Sequence, residues 1–138
     1  MEHQLGSIIK VKMVKKLTGN VELQKDNGKV VELSSLDVKY FIMKNEMAII
    51  DFYSETCPPC KRMQPFIEEL ANEFNGKVAF AKLDAKQDPD AQKKFQIQAF
   101  PTFYFFYRGL PIAFFIGEKK KQDFVQLMKI HYKTLLGS

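Results

Sequence analysis

The chain has 138 residues, 46% of them hydrophobic and 27% charged, with a formal charge of +5. That balance describes one folded domain with a real core and excludes a disordered chain. No apolar run approaches the ~18 residues a helix needs to span a bilayer, and the excess positive charge gives only a mild bias toward acidic partners.

The first 28 residues read as an extension. Ile9, Val11 and Met13 alternate with Lys10, Lys12 and Val14 in a half-buried strand pattern. The lysines so soon after Ile8 and Ile9 do not suit a secretory signal. Thr18-Gly19-Asn20 and Asp26-Asn27-Gly28 are turn signals on either side of Val21-Glu22-Leu23, so a β-hairpin is expected. It serves either as a flap covering a sheet edge or as a docking or dimerisation surface.

A second unit, residues 29–138, opens with a strand at Val30–Leu33. Ser34 is expected to cap a helix whose apolar stripe is Leu36, Tyr40 and Phe41, with Asp37 at its third position. Met47 to Tyr53 is a buried strand. A helix follows, with Phe66, Leu70 and Phe74 on one side, ending at Asn75-Gly76. Val78–Leu83 is a third strand, and Asp88 caps a short helix to Phe95. Thr102–Tyr107 and Ile112–Ile116 form a hairpin around Arg108-Gly109-Leu110-Pro111. The last helix, Lys121 to Leu135, is expected to bury Phe124, Leu127, Met128 and Leu135. Lys119-Lys120-Lys121 is its solvated start, which gives nucleic-acid binding little support. Runs apolar at every position, such as Phe103-Tyr104-Phe105-Phe106, predict a sheet covered on both faces. The order predicts an α/β fold, a three-layer sandwich with a mixed central sheet between helices.

The chain's two cysteines form Cys57-Pro58-Pro59-Cys60, at the junction of the second strand and the helix. They can pair, bind a metal together, react singly, or sit inert in the core. A strand–C-x-x-C–helix junction suits dithiol–disulfide exchange. At the helix start, unpaired N–H groups and the dipole stabilise a Cys57 thiolate. Pro58 and Pro59 suit the first helical positions, where an N–H would be an orphan, but they also remove two donors from the sulfur's surroundings. The amide of Cys60 and those beyond it are left to stabilise the charge. A zinc site would have to recruit His3 and His131, near opposite ends of the chain and without ligand spacing. Asp51, a carboxylate within an apolar strand, is costly to ionise there unless it reaches solvent, and it would suit proton transfer if it lay behind Cys60. There is no G-x-G-x-x-G for a flavin or nicotinamide.

Residues from about 29 to 136 resemble a thioredoxin. The segment Ile50-Asp51-Phe52-Tyr53-Ser54-Glu55-Thr56-Cys57-Pro58-Pro59-Cys60-Lys61 is similar to the family's active-site segment. Pro65 matches the proline within its active-site helix, Lys82-Leu83-Asp84-Ala85 the end of its third strand, and Phe100-Pro101-Thr102 its cis-proline loop. Gly109 and Gly117 match two family glycines. The resemblance implies a protein-disulfide reductase with Cys57 as nucleophile, Cys60 as resolving thiol, Asp51 as the buried acid that takes the Cys60 proton, and Lys82 near that acid. It implies a substrate surface of Thr56, Pro58, Pro59, Ala99, Phe100, Pro101 and Gly117, with a cis Phe100–Pro101 bond. It implies no cofactor beyond the Cys57–Cys60 disulfide, protein disulfides as substrates, an external reductant such as a thioredoxin reductase, and no nucleic-acid or membrane partner. A monomer in the cytoplasm is expected.

The sequence departs from the family at two positions. Thr56 stands where most members carry tryptophan, and Pro58 where they usually carry glycine. C-P-P-C also occurs in thiol–disulfide proteins related to cytochrome maturation factors, which usually carry an insertion after the active-site helix that is not seen here. The competing readings are an oxidase or isomerase of an oxidising compartment such as the periplasm, and a non-catalytic binding module on the same scaffold.

Overall fold

The computed structural model describes residues 26–133. The expected hairpin around Ile9–Leu23, and Leu135, lie outside the described residues.

Nine elements follow one another: β1 (Val30–Leu33), α1 (Val38–Lys44), β2 (Met47–Tyr53), α2 (Pro58–Glu73), β3 (Ala79–Asp84), α3 (Pro89–Lys94), β4 (Thr102–Tyr107), β5 (Leu110–Ile116) and α4 (Lys121–His131). The strands form one sheet in the order β1-β3-β2-β4-β5. β1, β3 and β2 run parallel, while β4 and β5 are antiparallel additions, so the sheet is mixed as expected.

The period-2 alternation of the strands divides the core in two. Ile50 and Phe52 of β2 join Val38 and Phe41 of α1 and Ala91 of α3 on one face. Met47 and Ile49 face the other way, onto Met63, Ile67 and Leu70 of α2 and Phe124 and Met128 of α4. Both faces of β2 are therefore dry, which explains why its sequence is apolar at every position but Asp51. The second layer is dense in rings: Phe124 meets Phe103 and Phe105 at centroid distances of 5.0 and 5.7 Å. Tyr132 stacks on Phe105 while its hydroxyl reaches the carbonyls of Phe106 and Ala48 at 2.8 and 3.1 Å.

Three expectations change in detail. Ser34 does not cap a helix. Its N–H and hydroxyl both donate to the Asp37 carboxylate, and that turn delays the helix to Val38. Leu36 is consequently left in the turn, 75% exposed, and Val38 with Phe41 forms the buried stripe. In α2 the inward positions are Met63, Ile67, Leu70 and Ala71, while Phe66 and Phe74 flank them half-buried. The hairpin turn is tighter than Arg108–Pro111: Arg108 and Gly109 alone make it, at φ values of 50° and 80°. That pair of positive φ values matches the strand twist of a two-residue hairpin. Pro111 then sits inside β5 opposite Phe106, where the register shifts. A residue without an N–H is tolerated at such an irregularity on an edge strand.

The turn at Asp26-Asn27-Gly28 forms as expected. The Asp26 carboxylate accepts the Gly28 N–H, and the Asp26 N–H donates to Asn45 at 3.0 Å.

Candidate active site

β2 and β4 are antiparallel with Phe52 opposite Thr102, so the carboxyl end of β2 lies beside the start of β4. Everything after Tyr53 and everything before Thr102 therefore converges on one end of the sheet. The loop leaving β2 is fixed by Ser54, which is buried. Its hydroxyl accepts the Thr56 N–H at 3.3 Å and lies 3.1 Å from the Thr56 hydroxyl, while its carbonyl accepts the Cys57 N–H at 3.2 Å. Cys57 is thereby delivered in extended conformation as the N-cap of α2, with Pro58 and Pro59 in the first turn.

Cys57 and Cys60 are joined as a disulfide, their Cα atoms 5.3 Å apart. The Cys60 N–H donates to Cys57 Sγ at 3.2 Å, the bond a capping oxygen would make at a helix N-terminus. Cys57 retains 8% of its exposure and Cys60 4%, so the pair is nearly enclosed, with Cys57 the more accessible. Thr56 and Pro58 are exposed beside it, and Pro59 is half-buried.

Across the cleft end, the Phe100–Pro101 bond is cis. The Ala99 carbonyl accepts the Thr102 hydroxyl at 2.7 Å, and the Pro101 carbonyl accepts the Gly117 N–H at 2.8 Å. Thr102 pairs with Ile116, which places Gly117 at this same end. Ala99 is exposed, whereas Phe100 leans onto the α1/α3 core. A further tie was not foreseen in the sequence: Arg62 of α2 makes a two-bond pair with Glu118, both at 2.8 Å, linking the cysteine helix to the segment after β5.

Asp51 lies on the face of β2 that packs against α2, the helix carrying the cysteines. It is 2% exposed, and its Oδ1 has no hydrogen-bond partner among the described residues. Burial pushes its carboxyl from 3.8 up to about 7; the Lys82 charge opposes the rise and the Glu32 charge adds to it. These groups occupy one row of the sheet, since Lys82 of β3 pairs with Asp51 on one side and Glu32 of β1 on the other. The Lys82 ammonium is 3.9 Å from Glu32 and 5.4 Å from the centre of the Tyr53 ring. The Tyr53 hydroxyl lies 3.0 Å from both Glu32 oxygens. A cavity of about 120 Å³ beside Cys60 is lined by Tyr53, Ser54, Glu55, Cys60, Lys61, Gln64 and Lys82.

Sequence reasoning picked out Asp51 and Lys82 but missed Glu32 and Tyr53. The available signal was a lone acid within the apolar run Val30–Leu33, which gains meaning only once the parallel register is known. Among the described residues no group of three or more His, Cys, Asp or Glu side chains could hold a metal. His131 rests against the rings of Phe105 and Phe115.

The thioredoxin family model matches residues 29–130. Thioredoxin from Staphylococcus saprophyticus is 32% identical over 83 residues, covering 60% of this chain and 80% of that protein. The bifunctional thioredoxin reductase/thioredoxin of Mycobacterium leprae is 32% identical over 100 residues, 70% of this chain and 21% of that much longer protein. The solved thioredoxin of Plasmodium falciparum superposes with a TM-score of 0.68 at 30% identity, covering 74% of this chain and 99% of that one. With a five-stranded sheet in this order and a cysteine of the Cys57–Cys60 disulfide capping its helix, the chain belongs to the thioredoxin family of thiol–disulfide oxidoreductases.

Proposed function

We propose that the protein reduces disulfides of partner proteins, and that Cys57 at the N-cap of α2 is the observation that carries this reading. A sulfur that accepts the N–H of the third helical residue is placed where a thiolate is stabilised and remains nucleophilic. The Cys57 thiolate attacks one sulfur of a substrate disulfide, forms a mixed disulfide and expels the first substrate thiolate. Asp51 takes the proton of Cys60. The Cys60 thiolate then attacks Cys57 Sγ, expels the second substrate thiolate and leaves the Cys57–Cys60 disulfide.

Asp51 suits its part because a carboxyl near 7 accepts and returns a proton around neutral pH, with Lys82 beside it in the sheet row. The substrate chain lies along Thr56, Pro58 and Pro59 on one side and Ala99, Phe100, Pro101 and Gly117 on the other. The convergence of both segments at one end of the sheet supports this.

The electrons come from an external reductase, a reading supported by the relative in which a thioredoxin reductase and a thioredoxin share one chain. The electron carrier is the cysteine pair itself, with no bound cofactor. Two cysteines, both in the active site, favour the cytoplasm. The protein acts as a monomer, with residues 1–28 as an added unit on the 29–138 domain. The relatives named are thioredoxins, which does not favour an oxidase, an isomerase, a cytochrome-maturation protein or a non-catalytic module.

The test is the reduction potential of the pair, equilibrated against defined glutathione or dithiothreitol buffers. A value near the ~−270 mV characteristic of thioredoxin supports the reductant, and a value near the ~−120 mV of strong oxidants overturns it.

A further inference from the structure

Lys82 stands between two carboxylates. It is the neighbour of Asp51 across β2–β3 and of Glu32 across β1–β3. Its ammonium lies within 3.9 Å of Glu32 and over the Tyr53 ring, while Asp51 Oδ1 has no hydrogen-bond partner among the described residues. Glu32 is itself held in place, with the Tyr53 hydroxyl 3.0 Å from both its oxygens. One cation is therefore shared, and the acid with the anchored position takes the larger part.

We propose that Glu32, held by the Tyr53 hydroxyl, is a positioning residue that draws Lys82 away from Asp51 and so sets the pH range in which Asp51 accepts the Cys60 proton. The inference rests on the resolving reaction proposed above and adds to it a residue outside the active-site segment. Glu32 touches neither sulfur; it acts through Lys82 and through its own charge. Two strand spacings separate β1 from β2, about 10 Å. At that distance a carboxylate in a partly buried row acts on Asp51 with an effect of roughly one pH unit.

Glu55 of the β2–α2 loop and Asp84 at the end of β3 act on Glu32 and Tyr53. Lys61 of α2 lines the cavity beside Cys60. β4 contributes Phe103 opposite Asp51, which carries no charge. Glu32 is thus the acid in contact with the cation that neighbours Asp51. Burial raises the Glu32 carboxyl above its ordinary value, and the Tyr53 hydrogen bond and the Lys82 charge oppose that rise.

The reaction of the reduced full chain with 5,5′-dithiobis(2-nitrobenzoate), followed by stopped flow, separates the steps. Cys57 attack releases one thionitrobenzoate, and Cys60 attack on the mixed disulfide releases the second. Glu32→Gln is expected to move the pH midpoint of the second phase down by roughly one unit, with the first-phase midpoint retained. The carboxyl-carbon titration of Asp51 by NMR moves with it. Glu32→Asp, which keeps the charge, restores most of the wild-type midpoint. Glu32→Ala is a second uncharged variant, and this half-exposed site tolerates truncation. Unmoved second-phase and Asp51 midpoints in both uncharged variants would overturn the inference, as would a shift confined to the first phase. Wild-type protein that releases no second thionitrobenzoate would instead overturn the proposed resolving reaction.

Discussion

Replacing Asp51 by Asn isolates the cost of burying an ionisable group without changing the shape of the site. In the unfolded chain this carboxyl titrates near 3.8; in the fold, burial carries it to about 7. At about 1.4 kcal/mol per pH unit, the folded protein above pH 7 bears a cost of about 4 kcal/mol for ionising it. The sign follows from proton counting. Between the two values the folded state holds the proton that the unfolded state has released, so stability falls as pH rises. Below pH ~4 both states are protonated and the cost vanishes. Asp51→Asn removes the titration, so the variant should gain about 4 kcal/mol on the wild type between pH 4 and pH 8. The asparagine amide carries its own burial penalty, which is independent of pH and drops out of that change. Other titrating groups, Glu32 among them, are common to both proteins and largely cancel. Urea unfolding of the two oxidised proteins across this range reads the difference directly. A wild-type-to-variant gap that stays flat from pH 4 to pH 8 would refute the reasoning, because Asp51 would then titrate alike in the folded and unfolded chains.

Cys60→Ser should still be attacked through Cys57 but accumulate the mixed disulfide with a protein substrate, visible as a mass adduct that dithiothreitol removes. Phe124→Ala empties the ring cluster with Phe66, Phe103 and Phe105 and should cost about 3–5 kcal/mol in urea unfolding, leaving the dithiol chemistry of the folded fraction unchanged. Tyr132→Phe keeps the stacking on Phe105 but strips the hydroxyl from the Phe106 and Ala48 carbonyls; a loss of about 1–2 kcal/mol is expected by the same assay.

The strand-and-helix order was legible because each element carries its own local signal. β4, an unbroken apolar run closed by Arg108-Gly109, was placed to the residue, as was β2. What failed did so where two local rules competed. Ser34 and Asp37 suit a capping box, yet in the fold they close a turn on each other and leave Leu36 outside the helix. In α2, Phe66 and Phe74 are the larger hydrophobes, but the helix phase that buries Cys60 also buries Met63, Ile67 and Leu70 and turns those rings to the flank. The cysteines and Asp51 were legible for a different reason: a reactive pair or a charge in an apolar run is chemically out of place and draws attention without a structure. Glu32 and Arg62–Glu118 were not, because their meaning depends on strand register and on a contact between residues 56 positions apart.

The same distinction separates the two active-site prolines. In the sequence both count as lost donors near the sulfur. The structure begins α2 at Pro58, with Cys57 as N-cap, so Pro58 is the first helical position, Pro59 the second and Cys60 the third. A capping atom accepts from the second and third positions, not the first. The Cys60 amide fills the third at 3.2 Å. Pro59 is therefore the proline that withholds a donor, and Pro58 acts on the loop's stiffness and exposed surface instead. Pro59→Ala should add a hydrogen bond to the Cys57 thiolate worth about 1.5–3 kcal/mol, lowering the thiol pKa by roughly one to two units and making the disulfide more oxidising. Pro58→Gly should leave that thiol much closer to wild type. Titration of the thiolate by ultraviolet absorbance compares them. A larger shift from Pro58→Gly than from Pro59→Ala would show that chain stiffness, rather than the count of amide donors at the cap, governs the nucleophile.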